Sequence, residues 1–199
     1  MDQSQFETVF SSHGINFAIK VMSDEDLPAV EEYCETCADE GVENNSSLSA
    51  LKIGRYEAER WWLVYDLEAE KVISLAGCYH FKEYQENSYR GMYRLATLKE
   101  YRGKAGPFGK DQKSCFGWGR ILPLQVNFAR SQGAAELLFT TNSGDEGDLN
   151  SLRQNRVCEL VFERLGMAQK IGEIELYTKK QNLWKVLIED VYSKKRLQL

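Results

Sequence analysis

The residues with the clearest chemical potential lie in the segment YRGKAGPFG, which begins at Tyr101. The five positions after Tyr101 are Arg102, Gly103, Lys104, Ala105 and Gly106. Small residues ahead of a helix leave several backbone N–H groups exposed, and these donors together with the helix dipole bind phosphate. Pro107 removes one such donor, and Lys110 and Lys113 follow as charges that could meet a phosphate instead. On its own the segment fits two interpretations: an ordinary strand-to-helix loop, and a phosphate-binding loop in which charge replaces part of the set of backbone donors.

Acid–base and thiol candidates lie elsewhere in the chain. His80 and Glu83 follow an apolar run, and either could act as a general base, directly or through water. A strand histidine is more often half-buried and structural, and Glu83 is more often a surface charge. Cys34 and Cys37 share an apolar helical stripe, and no second cysteine pair has zinc spacing, so we interpret them as core residues and expect no metal.

Hydrophobic periodicity predicts the elements that must position these residues. Ile15–Met22 is the first strand, and Ser23 caps a helix that Gly41 ends, with Asp26 three residues after the cap. The sequence also allows a short helix that begins at Ser47, but it does not fix its position. The remaining predictions are strands over 60–66, 71–81, 89–98 and 136–141, helices over 118–131 and 150–165, and a closing hairpin over 171–178 and 182–188 with KKQN as its turn.

This element order predicts the fold class. Neighbouring hairpins with one parallel crossover between them are typical of an α/β (α+β) protein with a mixed, mostly antiparallel central sheet and helices on both faces. The chain of 199 residues is long enough for one domain with a sizeable core. We therefore expect a single domain over 1–199.

Charge and cysteine content narrow the class of protein. The net charge of −5 lacks the basic excess of a general nucleic-acid binder, and no apolar stretch resembles a signal peptide or reaches membrane-spanning length. Five cysteines form no small-scaffold disulfide pattern. These features favour a reduced, cytoplasmic protein with free thiols that binds neither nucleic acid nor membrane.

Two stretches, in this element order, resemble the GNAT superfamily of N-acetyltransferases. LATLKEYRGKAG, residues 95–106, is similar to that family's fourth strand and the acyl-CoA loop that follows it. NRVCELVFERLGM, residues 155–167, resembles a later helix of the family. Between them, FARSQGAAELLFTTN, residues 128–142, resembles the helix end, glycine and buried strand of the family. The resemblance covers roughly 15–190 and implies an acyl-CoA N-acyltransferase-like fold.

The resemblance also implies an activity and a set of site residues. It implies transfer of an acetyl group from acetyl-CoA, as co-substrate, to an amine by direct attack. The amine acceptor, a small molecule or a protein, stays open, as does pairing of two copies into a homodimer through the closing hairpin. The implied cofactor-binding residues are Leu95, Ala96, Thr97 and Leu98 along the pantetheine, Arg102, Gly103, Lys104, Ala105 and Gly106 at the pyrophosphate, and Asn142 and Asn155.

The sequence also departs from the family pattern. Ala105 and Pro107 stand where the family has glycines, and Phe162 stands where the family often has a tyrosine that protonates the departing thiolate. Cys158 or Tyr177 could supply that proton instead, and nothing in the sequence favours one of them. Two alternatives therefore stay open: a catalytically degenerate binding or interaction module of this fold, and a transferase that uses a different donor.

Overall fold

The structure is a computed structural model that describes residues 6–102, 117–142, 168–176 and 178–187. Its described residues group into two compact units. The first unit contains the described residues up to His80 and those from Gly91 to Gln125, and the second contains Phe81–Arg90 and the described residues from Val126 onward. The expectation of one domain over 1–199 stays a prediction.

The first unit is built on strands in the order β1-β2-β3-β4-β5, with antiparallel pairing from β1 through β4. The strands are β1 (Thr8–Ser12), β2 (Ile15–Val21), β3 (Arg60–Asp66), β4 (Lys71–His80) and the part of β5 (Ser88–Thr97) from Gly91 onward. Helix α1 (Leu27–Asp39) packs on β4, and α2 (Leu48–Leu51) is one short turn. The buried faces of these elements form the core of the unit, which includes Phe17, Val30, Trp62, Leu63, Ile73 and Leu75.

Local sequence signals explain most of these boundaries. Asp26 accepts the Ser23 N–H at 2.8 Å, which caps a 3₁₀ turn over Asp24–Asp26 that leads into α1. Ser47 accepts the Ala50 N–H at 3.1 Å and begins α2, as the open alternative proposed. Strand β1 is missing from the sequence prediction because its half-exposed residues do not form a strong apolar pattern.

The second unit has the strand order β5-β6-β8-β7. Residues Ser88–Arg90 of β5 pair in parallel with β6 (Glu136–Asn142), and β8 (Lys179–Val186) pairs antiparallel with β6 and with β7 (Ala168–Leu176). Helix α3 (Leu122–Ser131) begins in the first unit and continues in the second, after a π-helical turn over Gly117–Ile121. The sheet is thus mixed and mostly antiparallel, which confirms the predicted fold class.

The predicted turn of the closing hairpin is wrong. Lys179–Asn182, the KKQN segment, forms the start of β8, and Gln181 and Asn182 are buried there. The chain reverses between Leu176 and Lys179, where Thr178 has a positive φ of 62°. Charged and amide residues at the start of an antiparallel strand resemble a turn sequence. Only the partner strand shows that their backbone is paired in a sheet.

The predicted helix over 150–165 lies outside the described residues. Within the residues that the structure describes, no helix is both long and apolar enough to span a bilayer.

Candidate functional site

The second half of β5 presents one backbone edge that its neighbour does not use. Leu98 N–H donates to Ile73 O on β4 at 2.9 Å, and Ala96 O accepts from Ser74 Oγ at 2.7 Å. Because successive peptide groups of a strand point to opposite edges, the N–H and C=O of Leu95 and the N–H of Thr97 face away from β4. These groups are suited to bind an extended, amide-containing arm.

Arg102 lies at the end of this edge. Its Nε donates to Thr97 O at 2.9 Å, and its Nη2 lies 3.3 Å from Glu40 Oε2. Glu40 is mostly buried and accepts the Lys99 N–H through both carboxylate oxygens, at 2.8 and 2.9 Å. The Arg102 side chain remains 52% exposed, so its guanidinium offers donors to an anion although Glu40 offsets part of its charge.

Tyr101 fixes the turn that carries Arg102. The Tyr101 hydroxyl donates to Asp66 Oδ2 at 2.9 Å in a buried position, and Asp66 Oδ1 also accepts the Glu68 and Ala69 N–H groups. Burial and the Asp66 carboxylate raise the pKa of Tyr101 to about 12. Tyr101 therefore stays protonated and serves as an anchor.

Strand β5 is kinked just before this edge. Met92 and Arg94 have positive φ values of 55° and 57°, a conformation that costs a non-glycine residue about 1–2 kcal/mol. The Met92 N–H donates to Gln125 Oε1 at 2.9 Å, and Gln125 Nε2 donates to Gly77 O on β4 at 3.0 Å. Asn45 Nδ2 donates to Arg94 O at 2.8 Å. Buried side-chain amides thus hold the kink from two elements.

Aromatic rings pack around the residue at the centre of the kink. The Tyr93 ring lies 5.8 Å from the Trp61 ring and 5.2 Å from the Tyr79 ring, and Tyr56 stacks on Tyr79 at 4.0 Å. A Cβ on Gly77 would lie 3.1 Å from the Trp61 indole, so glycine lets that indole rest against β4. The rings are mutually packed, which makes this cluster a support for the kink.

Two arginines carry buried donors that lack an acceptor. The Nε atoms of Arg94 and Arg120 are buried and have no hydrogen-bond partner among the described residues. Arg94 lies over the Tyr93 ring at 5.2 Å and Arg120 over the Phe10 ring at 4.3 Å. Burial lowers the pKa of Arg120. Buried guanidinium donors without an acceptor fit a ligand that brings carbonyl or phosphate oxygens.

The structure brings together five of the predicted site residues: Leu95, Ala96, Thr97, Leu98 and Arg102. Asn142 is exposed at the end of β6, and Glu83 is exposed on the turn before β5. Both belong to the second unit. The other candidates lie outside the described residues: Gly103, Lys104, Ala105, Gly106, Asn155, Cys158 and Tyr177.

The prediction that Cys34 and Cys37 are core residues is confirmed. Cys34 and Cys37 are buried, and burial raises the pKa of Cys34 to about 12 and raises that of Cys37. Both thiols therefore stay protonated in the core. Within the described residues, no group of three or more histidine, cysteine or acidic side chains is arranged to hold a metal ion.

Sequence reasoning missed Gln125, Asn45 and Arg120. Gln125 could have been noticed as a polar residue on the otherwise apolar face of the predicted helix over 118–131. Asn45 lies in a stretch without clear periodicity. The interactions of Asn45 and Gln125 with β5 join residues 49 and 33 positions apart, which local patterns do not encode.

No protein-family model and no curated protein sequence matches this chain. Solved structures do match it in three dimensions. The ribosomal-protein-S5-alanine acetyltransferase from Vibrio fischeri has a TM-score of 0.58 at 12% identity, with 92% of this chain and 98% of that chain covered. An aminoglycoside 6′-N-acetyltransferase complexed with coenzyme A has a TM-score of 0.55 at 14% identity, with 85% and 96% covered.

A third similar structure is the GNAT domain of S. lividans PAT, with a TM-score of 0.58 at 5% identity and coverage of 94% of this chain and 99% of that chain. At such low identity, structural likeness assigns the fold and leaves the activity to be argued from the site. This chain has the fold of the GNAT superfamily of N-acetyltransferases.

Proposed function

We propose that the protein is an acyltransferase that moves an acetyl group from acetyl-CoA to an amine by direct attack. In this reaction the amine nitrogen forms a bond to the acetyl carbon and the carbon–sulfur bond breaks. The thiolate takes up a proton, and the amine gives one to water or to a base. No covalent intermediate on the protein is required.

The observation that carries this proposal is the combination of a strand edge that no described strand pairs with and an arginine at its end. Leu95 and Thr97 offer peptide groups away from β4, and Arg102 is bonded to Thr97 O. A pantetheine arm carries amides that can pair with such an edge, and its pyrophosphate then meets the exposed guanidinium. Supporting it, the buried donors of Arg94 and Arg120 lack an acceptor among the described residues.

Calorimetric titration with acetyl-CoA tests the proposal, with free CoA and ATP as comparison ligands. We expect micromolar binding of acetyl-CoA and free CoA, and weaker binding of ATP, which lacks the pantetheine arm. Arg102→Ala should weaken acetyl-CoA binding about tenfold, since a hydrogen bond to a charged group contributes ~1.5–3 kcal/mol and Arg102 is half exposed.

Arg55→Ala is the matched control, because Arg55 is an exposed arginine on the loop between α2 and β3. Its affinity for acetyl-CoA should equal that of the wild type. Equal affinity in both variants would contradict the assignment of Arg102. No binding of any CoA species by folded wild-type protein would contradict the proposed function.

Two observations favour the alternative of a catalytically degenerate binding or interaction module. The ion pair of Arg102 with Glu40 offsets the charge that a pyrophosphate needs, and Pro107 lacks a backbone donor. In that case the Glu40→Gln variant would bind no CoA either. Restored binding in this variant would instead identify the ion pair as a competitor of the phosphate.

The acceptor and the cellular setting remain predictions from the sequence. The acceptor is a small-molecule or protein amine, and the protein is cytoplasmic and binds neither nucleic acid nor membrane. A screen of amines with acetyl-CoA identifies the acceptor class, and sedimentation tests for a homodimer. Transfer from a donor other than acetyl-CoA in the same screen would favour the alternative of a transferase that uses a different donor.

A further inference from the structure

The kink over Met92–Arg94 is tied down at each of its three residues. Gln125 accepts the Met92 N–H, the Tyr93 ring packs against Trp61 and other rings, and Asn45 donates to Arg94 O. Two residues with positive φ in one strand persist only where the surroundings over-determine them, and such strain is concentrated at functional sites. Several independent contacts therefore fix the conformation of this segment in the folded protein.

Gln125 occupies a special place among these anchors. It is completely buried, and its amide bonds to the backbone of two strands: Met92 N–H on β5 and Gly77 O on β4. A side chain thus bridges the backbones of two neighbouring strands at the kink. Helix α3, which carries Gln125, begins after a π-helical turn over Gly117–Ile121, and such turns frequently occur at functional sites.

The kink lies where the reacting end of the donor would be. Thr97 O is bonded to Arg102, and the kink at Met92–Arg94 lies three to five residues before Thr97 on the same strand. In the proposed function, an extended arm whose phosphates meet Arg102 runs along this strand toward residues 92–94, which places its thioester near the kink.

We infer that Gln125 is a positioning residue for acyl transfer, an inference that rests on the proposed function. It acts through the backbone of Met92–Arg94, which it holds in the strained conformation that faces the thioester. Negative charge develops on the acyl oxygen as the nitrogen–carbon bond forms and before the carbon–sulfur bond breaks. Donors already fixed at that oxygen lower the barrier because they need no reorganisation during the step. Without the Gln125 amide, the strained residues relax toward an extended strand.

Two variants test this role. Gln125→Met preserves the approximate volume and removes both hydrogen bonds. Gln125→Glu keeps an acceptor for the Met92 N–H and, because complete burial favours the neutral carboxylic acid, also keeps an O–H donor for Gly77 O. Gln132→Glu is the matched control, because Gln132 is exposed just after α3 and undergoes the same chemical change. Circular dichroism confirms that each variant is folded.

The readouts are kcat for acetyl-CoA with a panel of primary amines, the Kd of acetyl-CoA, and hydrogen exchange of the Met92 amide. For Gln125→Met we expect kcat to fall by up to ~100-fold, the loss that a misplacement of about 1 Å at the reacting atoms can cause, with Kd changed less than about twofold. Met92 exchange should accelerate. Gln125→Glu should keep Met92 protected and lose less kcat, and Gln132→Glu should match the wild type.

The outcomes separate this inference from the proposed function. Wild-type protein that transfers no acetyl group to any amine contradicts both. Active wild type with unchanged kcat in folded Gln125→Met overturns only the role of Gln125. Parallel losses of kcat, acetyl-CoA affinity and thermal stability also overturn it, because they identify Gln125 as a purely structural residue.

Discussion

The two halves of β5 are held in place in different ways. Ser88–Arg90 are buried and pair residue by residue with Glu136–Leu138 of β6 in a regular parallel ladder. In Gly91–Thr97, Gly91 and Tyr93 are buried and the other residues are partly exposed. Two of these residues have positive φ, and the backbone forms hydrogen bonds with side chains of other elements. One strand thus combines a segment fixed by backbone pairing with a segment fixed by buried amides.

The difference between the two halves of β5 shows which part of the strand holds conformational strain. A backbone ladder stabilises an extended strand but leaves its peptide groups occupied. Side-chain anchors such as Asn45 and Gln125 hold the strand while leaving the opposite edge of Leu95 and Thr97 for another partner. The irregular half is therefore the part of β5 suited to ligand binding.

The largest expected effect is a loss of folding stability when either half of β5 is altered, together with a loss of activity in only one of the two cases. Tyr93→Ala and Tyr89→Ala each remove a buried ring that packs against other aromatic rings, so each should lower the free energy of unfolding by about 3–5 kcal/mol. Only Tyr93→Ala should also reduce kcat in the remaining folded protein, because Tyr93 lies in the kink. Urea unfolding and turnover per folded molecule check this. An equal loss of kcat in both variants would contradict the idea that only the kinked half of β5 supports activity.

A pH experiment sharpens the comparison by separating global stability from the kink. Burial alone would raise the pKa of Asp26, but hydrogen bonds from Lys20, Ser23 and Tyr65 outweigh it and lower the pKa below its usual 3.8. Its stabilising contribution is therefore present above pH 3.8 and is lost as pH falls through the lower folded value. The urea midpoint should fall with pH in that acidic window, and less so in Asp26→Asn.

The amide anchors of the kink are neutral side chains and do not titrate in this window. Hydrogen exchange of the Met92 amide measures the free energy of the opening that exposes it. This value should change with the global free energy of unfolding only if the amide exchanges through global unfolding. Under native conditions, between pH 5 and 7, its protection should stay constant. A titration of Met92 protection in that interval would show that a charged group also holds the kink.

The smallest expected effect concerns the end of the open edge. Glu40→Gln keeps an acceptor for the Lys99 N–H and removes the charge that pairs with Arg102. Because the pair is partly exposed, its removal is worth at most ~1 kcal/mol, so acetyl-CoA should bind a few-fold more tightly. Arg102→Ala combined with Glu40→Gln should show no such gain. Calorimetry at two salt concentrations distinguishes this charge effect from a change in the loop.

Local patterns predicted the regular parts of this protein well. The strand over 60–66 matches β3, and Cys34 and Cys37 lie buried on α1, as their place on an apolar helical stripe predicted. Strand β1 was missed although His13 and Gly14, both with positive φ, form the turn that joins it to β2. A two-residue turn with glycine was the available signal.

The candidate site was predictable only in part. Leu95–Leu98 and Arg102 were expected at one site from a motif of neighbouring residues, and the bond between Arg102 and Thr97 O joins them. The wrong hairpin turn at Lys179–Asn182 and the unforeseen kink have a common origin. In both, the conformation of a segment depends on a partner that is distant in sequence.

The sequence by itself determined the order of most strands and helices, the burial of their apolar faces and the position of Arg102 after a strand. These features follow from hydrophobic periodicity and from capping residues, which act over a few positions. Only the tertiary structure decided which edge of β5 stays open and how Gln125 and Asn45 hold Met92 and Arg94. Strained backbone is stable only when distant side chains meet it, and that meeting exists only in the folded chain.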